Sequence, residues 1–213
     1  MEPERRNNPG ALSIEHRGPG GGNIISGYAA VFYDPEIEGS QFELYRGLVE
    51  RIDPNAFNRA LEEQHDVRGL VNHDPGQLLG RVSSGTLTLS VDDGGLRYTI
   101  DVPDTQAGRD TVTSIQRGDL DGSSFAFHVR DDSIDPDPDT PGQDIRTIRD
   151  LNLVDVGPVP FPAYHATTTG ARSELIRSGE MDELRRRHAA IKLERRKRQL
   201  AVRVRLRSLE LNR

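Results

Sequence analysis

A chain of 213 residues without a single cysteine has no access to disulfides, thiolate catalysis or Cys-ligated zinc. Its hydrophobic content of 34% predicts a core smaller than the length alone would allow. The net charge of −6 hides an asymmetry: residues 172–213 hold 14 Lys and Arg against 6 Asp and Glu (+8), leaving 14 against 28 (−14) for an acidic body.

The first stretch, "MEPERRNNPGALSIEHRGPGGG" (1–22), has no apolar run long enough for a signal peptide or membrane span. It is expected to be a flexible lead-in to a soluble protein made in the cytoplasm. "NIISGYAAVFY" (23–33) is β-branched and aromatic, the composition of a strand. "FELYRGLVERI" (42–52) predicts a strand, or a strand with a bend at Gly47. "DPNAFNRALEE" (53–63) places Asp at a cap and Pro at the first helical position, then a short amphipathic run. "DVRGLVNHD" (66–74) is a strand that ends at a His. "GRVSSGTLTLSVDDGGLRYTIDVP" (80–103) sets two alternating runs around a tight-turn signal, the pattern of a hairpin.

"DTQAGRDTVTSIQRGDL" (104–120) is a predicted helix, capped by Asp104 or Thr105, with Gly118 near its end. A strand follows Ser124. The acidic, proline-rich "DDSIDPDPDTPGQD" (131–144) cannot build a core and is expected to be mobile. "IRTIRDLNLVDVGPVPF" (145–161) returns as one or two strands. Beyond a linker at 167–170, the tail has helix-forming composition to about Leu200, then "AVRVRLR" alternates with a strand period. The expected class is mainly β with inserted helices (α+β). Many short strands that must hide their edges fit a small, partly open or closed β-barrel, followed by a basic helical tail.

Six His are present, but no pair has helical i,i+4 spacing and there are no thiolates, so no metal or cofactor is expected. His16 and His188 fall in exposed segments. His73 ends an apolar strand, a position where an imidazole can be held rigidly with one nitrogen open; by position alone, a surface His in a polar turn is the plainer account. A serine needs such a base, because its own pKa is far too high for it to act as a nucleophile near neutral pH. On chemistry alone Ser83, Ser84, Ser123 and Ser124 are all candidates, although Ser and Gly are also ordinary turn residues. A carboxylate that orients the base should be buried. Asp155, in "LNLVDVGPV", has the most apolar neighbourhood of any acid in the chain; otherwise it would bond a loop backbone.

Five blocks, in order over roughly residues 25–170, resemble the prohead protease family of tailed bacteriophages: "SGYAAVF", "LYRGLVERIDPNAFNRAL", "GLVNHDPGQLLGRV", "VPDTQAGRDTVTSIQRGDLDGSSFAF" and "LVDVGPVPFPAY". The fourth, close to a DTxxGR…GxxxGxS pattern, is the most specific. The resemblance implies a serine endopeptidase with His73 as base and Ser124 as nucleophile, Ser123 standing where the family often has an apolar residue. Asp155 falls where relatives commonly carry Glu. The family is similar in fold to herpesvirus assembly proteases, which implies a barrel of that type; their third member is a His, so His128 and His165 rival Asp155.

The implied division is a flexible segment (1–22), a protease domain (23–170) and a basic, helical tail (171–213). The implied substrates are the scaffold portion of the major capsid protein and the enzyme itself, cut inside the assembling procapsid in the host cytoplasm, with self-association open. No membrane partner is expected. The basic tail alone would fit a nucleic-acid binder, but the acidic body and the lack of interleaved aromatics argue against one. The alternative is a non-catalytic scaffold or assembly protein of the same fold.

Overall fold

The computed structural model describes residues 3–8, 12–17, 21–37, 39–160 and 179–210. The chain divides into two compact units, residues 1–174 and 175–213. The first is a mixed α+β unit built mostly of strands. The described part of the second is one helix.

Eleven strands are described in the first unit. They are β1 (Glu4–Asn8), β2 (Ser13–His16), β3 (Asn23–Val31), β4 (Phe42–Tyr45), β5 (Leu48–Ile52), β6 (Arg68–Leu70), β7 (Leu78–Arg81), β8 (Leu87–Asp92), β9 (Gly95–Val102), β10 (Gly122–Pro136) and β11 (Asp144–Val159). Helices α1 (Asn58–Glu62) and α2 (Gln106–Arg117) interrupt them. One sheet runs β1-β10-β11-β5-β4, with β6 paired to β11 and β7 to β6; the other runs β2-β3-β9-β8. Among the described residues the strands form these two sheets and no closed barrel. The two sheets bury their apolar faces against each other and do not close on themselves.

The core is shared by both sheets. Ile25, Leu96, Tyr98 and Ile100 from one meet Phe125, Phe127, Ile148 and Leu151 from the other, all fully buried. Phe57, just before α1, joins them edge-on to Phe125 at 5.8 Å, and Phe125 stacks on Phe127 at 4.9 Å. Aromatic pairs at these separations add to the area they bury. They anchor the start of β10 from its inner side.

Three expectations change. Residues 1–22 contain two strands: β1 pairs with β10 and β2 with β3. The polar β1 gains order from ion pairs to residues far along the chain, which composition does not reveal. The segment 131–144 mostly extends β10 and β11 as a long hairpin, with Asp132 opposite Ile148 and Ile134 opposite Arg146. Two of its acids are matched: Asp132 bonds Arg146 at 2.6 Å, and Asp137 accepts from the Asp139 amide and from Gln143. The third change is α1, which starts at Asn58 rather than after Pro54, because Asp53 ties up the Asn55 amide in a turn at 2.8 Å.

Two more expectations change: the strand or bent strand expected over 42–52 is instead the antiparallel pair β4–β5, and the strand expected over 66–74 stops at Leu70. The β8–β9 hairpin and α2 fold as their patterns predict. The β8–β9 hairpin turns at Asp93 and Gly94, with Asp92 accepting from the Gly94 amide. On α2, Thr105 is the N-cap and accepts from the Gly108 amide at 3.2 Å; Gly118, at φ 79°, ends it in the left-handed region that glycine enters freely.

In the second unit, α3 (Glu180–Glu210) is one continuous helix. The strand-like alternation of "AVRVRLR" is therefore helical. In a helix those backbone groups pair among themselves. The linker expected at 167–170 lies outside the described residues.

Candidate active site

The site forms on the outer face of the larger sheet. Side chains alternate along a strand, so Ser123 and Ser124 at the start of β10 point to opposite faces. Ser123 points into the core, where its hydroxyl is 2.9 Å from Tyr98 Oη. Ser124 points outward. On the adjacent β11, Asp155 lies opposite Ala126, two residues from Ser124, which places it on the same outer face.

The third group comes from the segment after β6. That strand runs parallel to β11, with Arg68 opposite Asp155. After Leu70 the chain turns sharply. Asn72 and His73 both have positive φ, 50° and 58°. For non-glycine residues this conformation is uncommon and costs on the order of 1–3 kcal/mol, a cost the surroundings must offset. Here the Asn72 amide donates to the Pro158 carbonyl at 2.9 Å, and the Asp74 amide closes back on the Val71 carbonyl at 3.0 Å. Gly157 permits this approach: a Cβ there would sit 1.9 Å from the Leu70 carbonyl oxygen.

These constraints bring three side chains into line. His73 Nε2 is 2.6 Å from Ser124 Oγ, and His73 Nδ1 is 2.5 Å from Asp155 Oδ1. Ser124 is fully buried; His73 and Asp155 side chains are 7% and 8% exposed. An ionised carboxylate only accepts, so Nδ1 carries the hydrogen and Nε2 is the open, basic nitrogen. A hydroxyl, an imidazole and a carboxylate in this order can move a proton off the oxygen while the carboxylate stabilises the resulting imidazolium.

The remaining sequence candidates are elsewhere. Ser83 and Ser84 lie in the exposed turn before β8. His128 is on β10 opposite Asn152 and is not a partner of His73 or Ser124. His165 lies outside the described residues.

One neighbour of Ser124 went unread in the sequence. β1 runs antiparallel along β10 with Asn7 opposite Ser124, and Ser124 Oγ donates to the Arg6 carbonyl at 3.0 Å. The Arg6 guanidinium is buried, bonded to Glu50 at 2.5 and 3.0 Å and to Glu4 at 2.6 Å. Arg146 completes the cluster through Glu50 at 2.9 Å, Glu4 at 3.1 Å and Asp132 at 2.6 Å. Burial disfavours charge in this cluster, but the opposite charges outweigh it. Arg6 and Arg146 are held more firmly protonated by Glu50 and Glu4, and Glu4 is pulled below its usual value by Arg6 and Arg146. The signal for this strand was absent because its partners are 44 and 142 residues away.

The family model described as caudovirus prohead serine protease matches residues 12–182. No curated protein matches the chain. Among solved structures, the bacteriophage T4 capsid assembly protease gp21 is similar over 76% of this chain and 100% of that one, with 16% identity and a TM-score of 0.45. With most of its length matched, the chain belongs to the caudovirus prohead serine protease family.

Proposed function

We propose that this member of the prohead protease family is a serine endopeptidase with Ser124 as nucleophile, His73 as general base and acid, and Asp155 as the orienting carboxylate. The observation that carries the reading is the unbroken chain Asp155–His73–Ser124 at 2.5 and 2.6 Å. Ser124 Oγ attacks a peptide carbonyl as its proton passes to His73 Nε2. Asp155 holds the imidazole in the tautomer that leaves Nε2 open, and stabilises the imidazolium. His73 then returns the proton to the departing amine, and water resolves the acyl-enzyme by the same path. No metal or cofactor enters these steps.

The proposed substrates are the scaffold portion of the major capsid protein and the enzyme's own chain, cut inside the assembling procapsid in the host cytoplasm; membership of the prohead protease family supports this reading. The acidic body favours protein over nucleic acid as partner, and no described helix is long and apolar enough to cross a membrane. The decisive experiment is co-expression with the phage's capsid protein, with wild-type or Ser124→Ala enzyme, followed by mass spectrometry of both chains. Wild type should shorten the capsid protein and Ser124→Ala should leave it intact. Identical masses in the two would remove the enzymatic reading in favour of a non-catalytic assembly protein.

The basic α3, which extends beyond the family match, has recruitment into the shell as its proposed role, by charge complementarity with an acidic scaffold. A chain ending at Gly170 should still cleave capsid protein in solution yet stay out of procapsids; a folded but inactive one would make the tail part of the enzyme.

A further inference from the structure

Leu78 is an exposed apolar side chain on the face that carries Ser124. Single exposed leucines are ordinary on protein surfaces. What marks this one is how the fold turns it outward. β6 and β7 pair with Arg68 opposite Arg81, Gly69 opposite Gly80, and then Leu70 opposite Leu78, so Leu79 is an extra residue on β7. Gly69 and Gly80 face inward, since a Cβ on either would meet Ile100 of the core, at 2.8 and 3.1 Å. Regular alternation from Gly80 would then send Leu79 outward and Leu78 into the core. The bulge reverses this: Leu79 is buried in the shared core, and Leu78 is 46% exposed.

The register also places Leu78 relative to the nucleophile. Leu70 follows the inward Gly69 and so faces outward. β6 runs parallel to β11 with Gly69 opposite Val156, which sets Leu70 beside Gly157; Ser124 pairs with Gly157 from the other side. One row therefore crosses the outer face, from Ser124 through Gly157 and Leu70 to Leu78. By strand spacing the two leucines stand about 10 and about 14 Å from Ser124. They are also the two ends of the turn that carries His73, which the Val71 amide closes on the Gln77 carbonyl at 3.2 Å. Leu70 is only 7% exposed, so Leu78 supplies the open surface. Charge borders the pair: Arg68 and Arg81 are the next outward residues, with Arg81 bonded to Asp66 at 2.9 Å.

Proton transfer decides which part of a substrate meets this surface. His73 Nε2 must lie within hydrogen-bond reach of the departing amine, so the residues beyond the scissile bond leave on the side of the His73 turn. At about 3.3 Å per extended residue, the second of them lies about 7 Å from the attacked carbon, and its side chain spans the remaining distance to the leucines.

We propose that Leu78, backed by Leu70, is a specificity-determining residue that takes an apolar side chain of the substrate at the first or second position beyond the scissile bond. This rests on the serine-protease reading. Covering the exposed part of Leu78 with a leucine favours that substrate about tenfold over one with alanine.

The test uses the full chain. The bond cut in the phage's capsid protein is read from product masses, and capsid-protein variants are made with Leu, Ala or Asp at each of the two positions before and after it. Two variants mixed in equal amounts compete for the enzyme, so their ratio of cleavage reads the ratio of kcat/KM. With wild-type enzyme, Leu should be cut about tenfold faster than Ala at one of the two positions after the bond. With Leu78→Ala that ratio should fall below threefold, and with Leu78→Lys the Asp variant should overtake Leu at the same position. The ratios at positions before the bond should not follow Leu78. Labelling of Ser124 by a serine-directed phosphonate, located by mass spectrometry, reports an intact site in each enzyme. A wild-type enzyme with no preference for Leu after the bond, or the same preference in both labelled Leu78 variants, would overturn the subsite and leave the nucleophile in place. A folded wild type that leaves Ser124 unlabelled and the capsid protein uncut would instead remove the serine-protease reading, and this proposal with it.

Discussion

Ser123 and Ser124 are neighbours on β10, equally buried and each hydrogen-bonded through the side chain. They differ in what stands opposite. Ser123 meets Tyr98, a phenol whose pKa burial pushes up, against a smaller opposing pull from the Ser123 bond. Such a group exchanges hydrogen bonds but takes no proton near neutrality. Ser124 meets an imidazole whose far nitrogen is fixed by a carboxylate. The pleat decides which hydroxyl meets the base and which meets the core, so register is the chemical variable here. The same strand divides the molecule into an inner side that gives stability and an outer side that carries the proposed chemistry.

The sharpest way to break this division is to exchange the losses. Ser124→Ala should lower peptide cleavage by about 10⁶-fold, the scale of losing a nucleophile that acts as one unit with its base. Ser123→Ala should keep most activity and lose stability instead, by about 1–3 kcal/mol, because Tyr98 Oη is left buried without a partner. Thermal unfolding and turnover, measured on both variants, should move in opposite order. Comparable activity losses would mean that the register argument is wrong. His73→Ala should match Ser124→Ala, and the double variant should be no worse than either. Asp155→Asn should fall short of both, with a loss of about 10⁴-fold from misorienting the imidazole. If His128→Ala or His165→Ala removes activity and Asp155→Asn does not, a His is the third member.

A smaller perturbation tests whether the outer face depends on close packing of backbones. Gly157→Ala adds a methyl group where the Leu70 carbonyl oxygen would be 1.9 Å away, so β6 must move and carry His73 with it. Displacements near 1 Å cost about 10²-fold in rate. The loss should appear in kcat, with Ser124 still slowly labelled. A full-rate Gly157→Ala would show that β6 can shift without moving the imidazole.

What the sequence displayed depended on distance along the chain. The α2 cap and the DDGG hairpin rest on residues close to one another, and these were legible; the strand expected to end at His73 stops at Leu70, and His73 stands in the turn that follows. His73, Ser124 and Asp155 were legible as candidates, although their meeting in space was carried by family resemblance and not by spacing. The left-handed backbone at Asn72 and His73 went unread, although Asn and His enter that region more often than most non-glycine residues. β1 was unreadable for a different reason. "ERRNN" has no β-branched or aromatic residue, and its order comes from Glu50, Phe125 and Arg146. The segment 131–144 failed likewise: Asp132 looks solvated until the fold brings Arg146 to it.

The mildest test compares the two sides by pH. Glu4, on the inner side, faces Arg6 and Arg146 within a cluster that also holds Glu50 and Asp132. Burial alone would raise its pKa, but the two guanidinium groups outweigh burial and the net shift is downward from 4.5. A depressed carboxylate favours the docked strand while it is ionised. That contribution is complete above about 4.5, the value expected once β1 is released, and is lost as pH falls through the lower docked value. Proton uptake should therefore loosen β1 only in acid, by at most about tenfold per pH unit, since one proton is linked. Hydrogen exchange at the amides of residues 4–8 reads this without reference to catalysis. Protection should be flat from pH 8 to 5 and fall below that, once corrected for the intrinsic exchange rate. In Glu4→Gln the acid-dependent fall should shrink and β1 should be looser at neutral pH, because Arg146 loses an anionic partner. An unchanged acid profile in Glu4→Gln would leave Glu4 a bystander to the docking of β1.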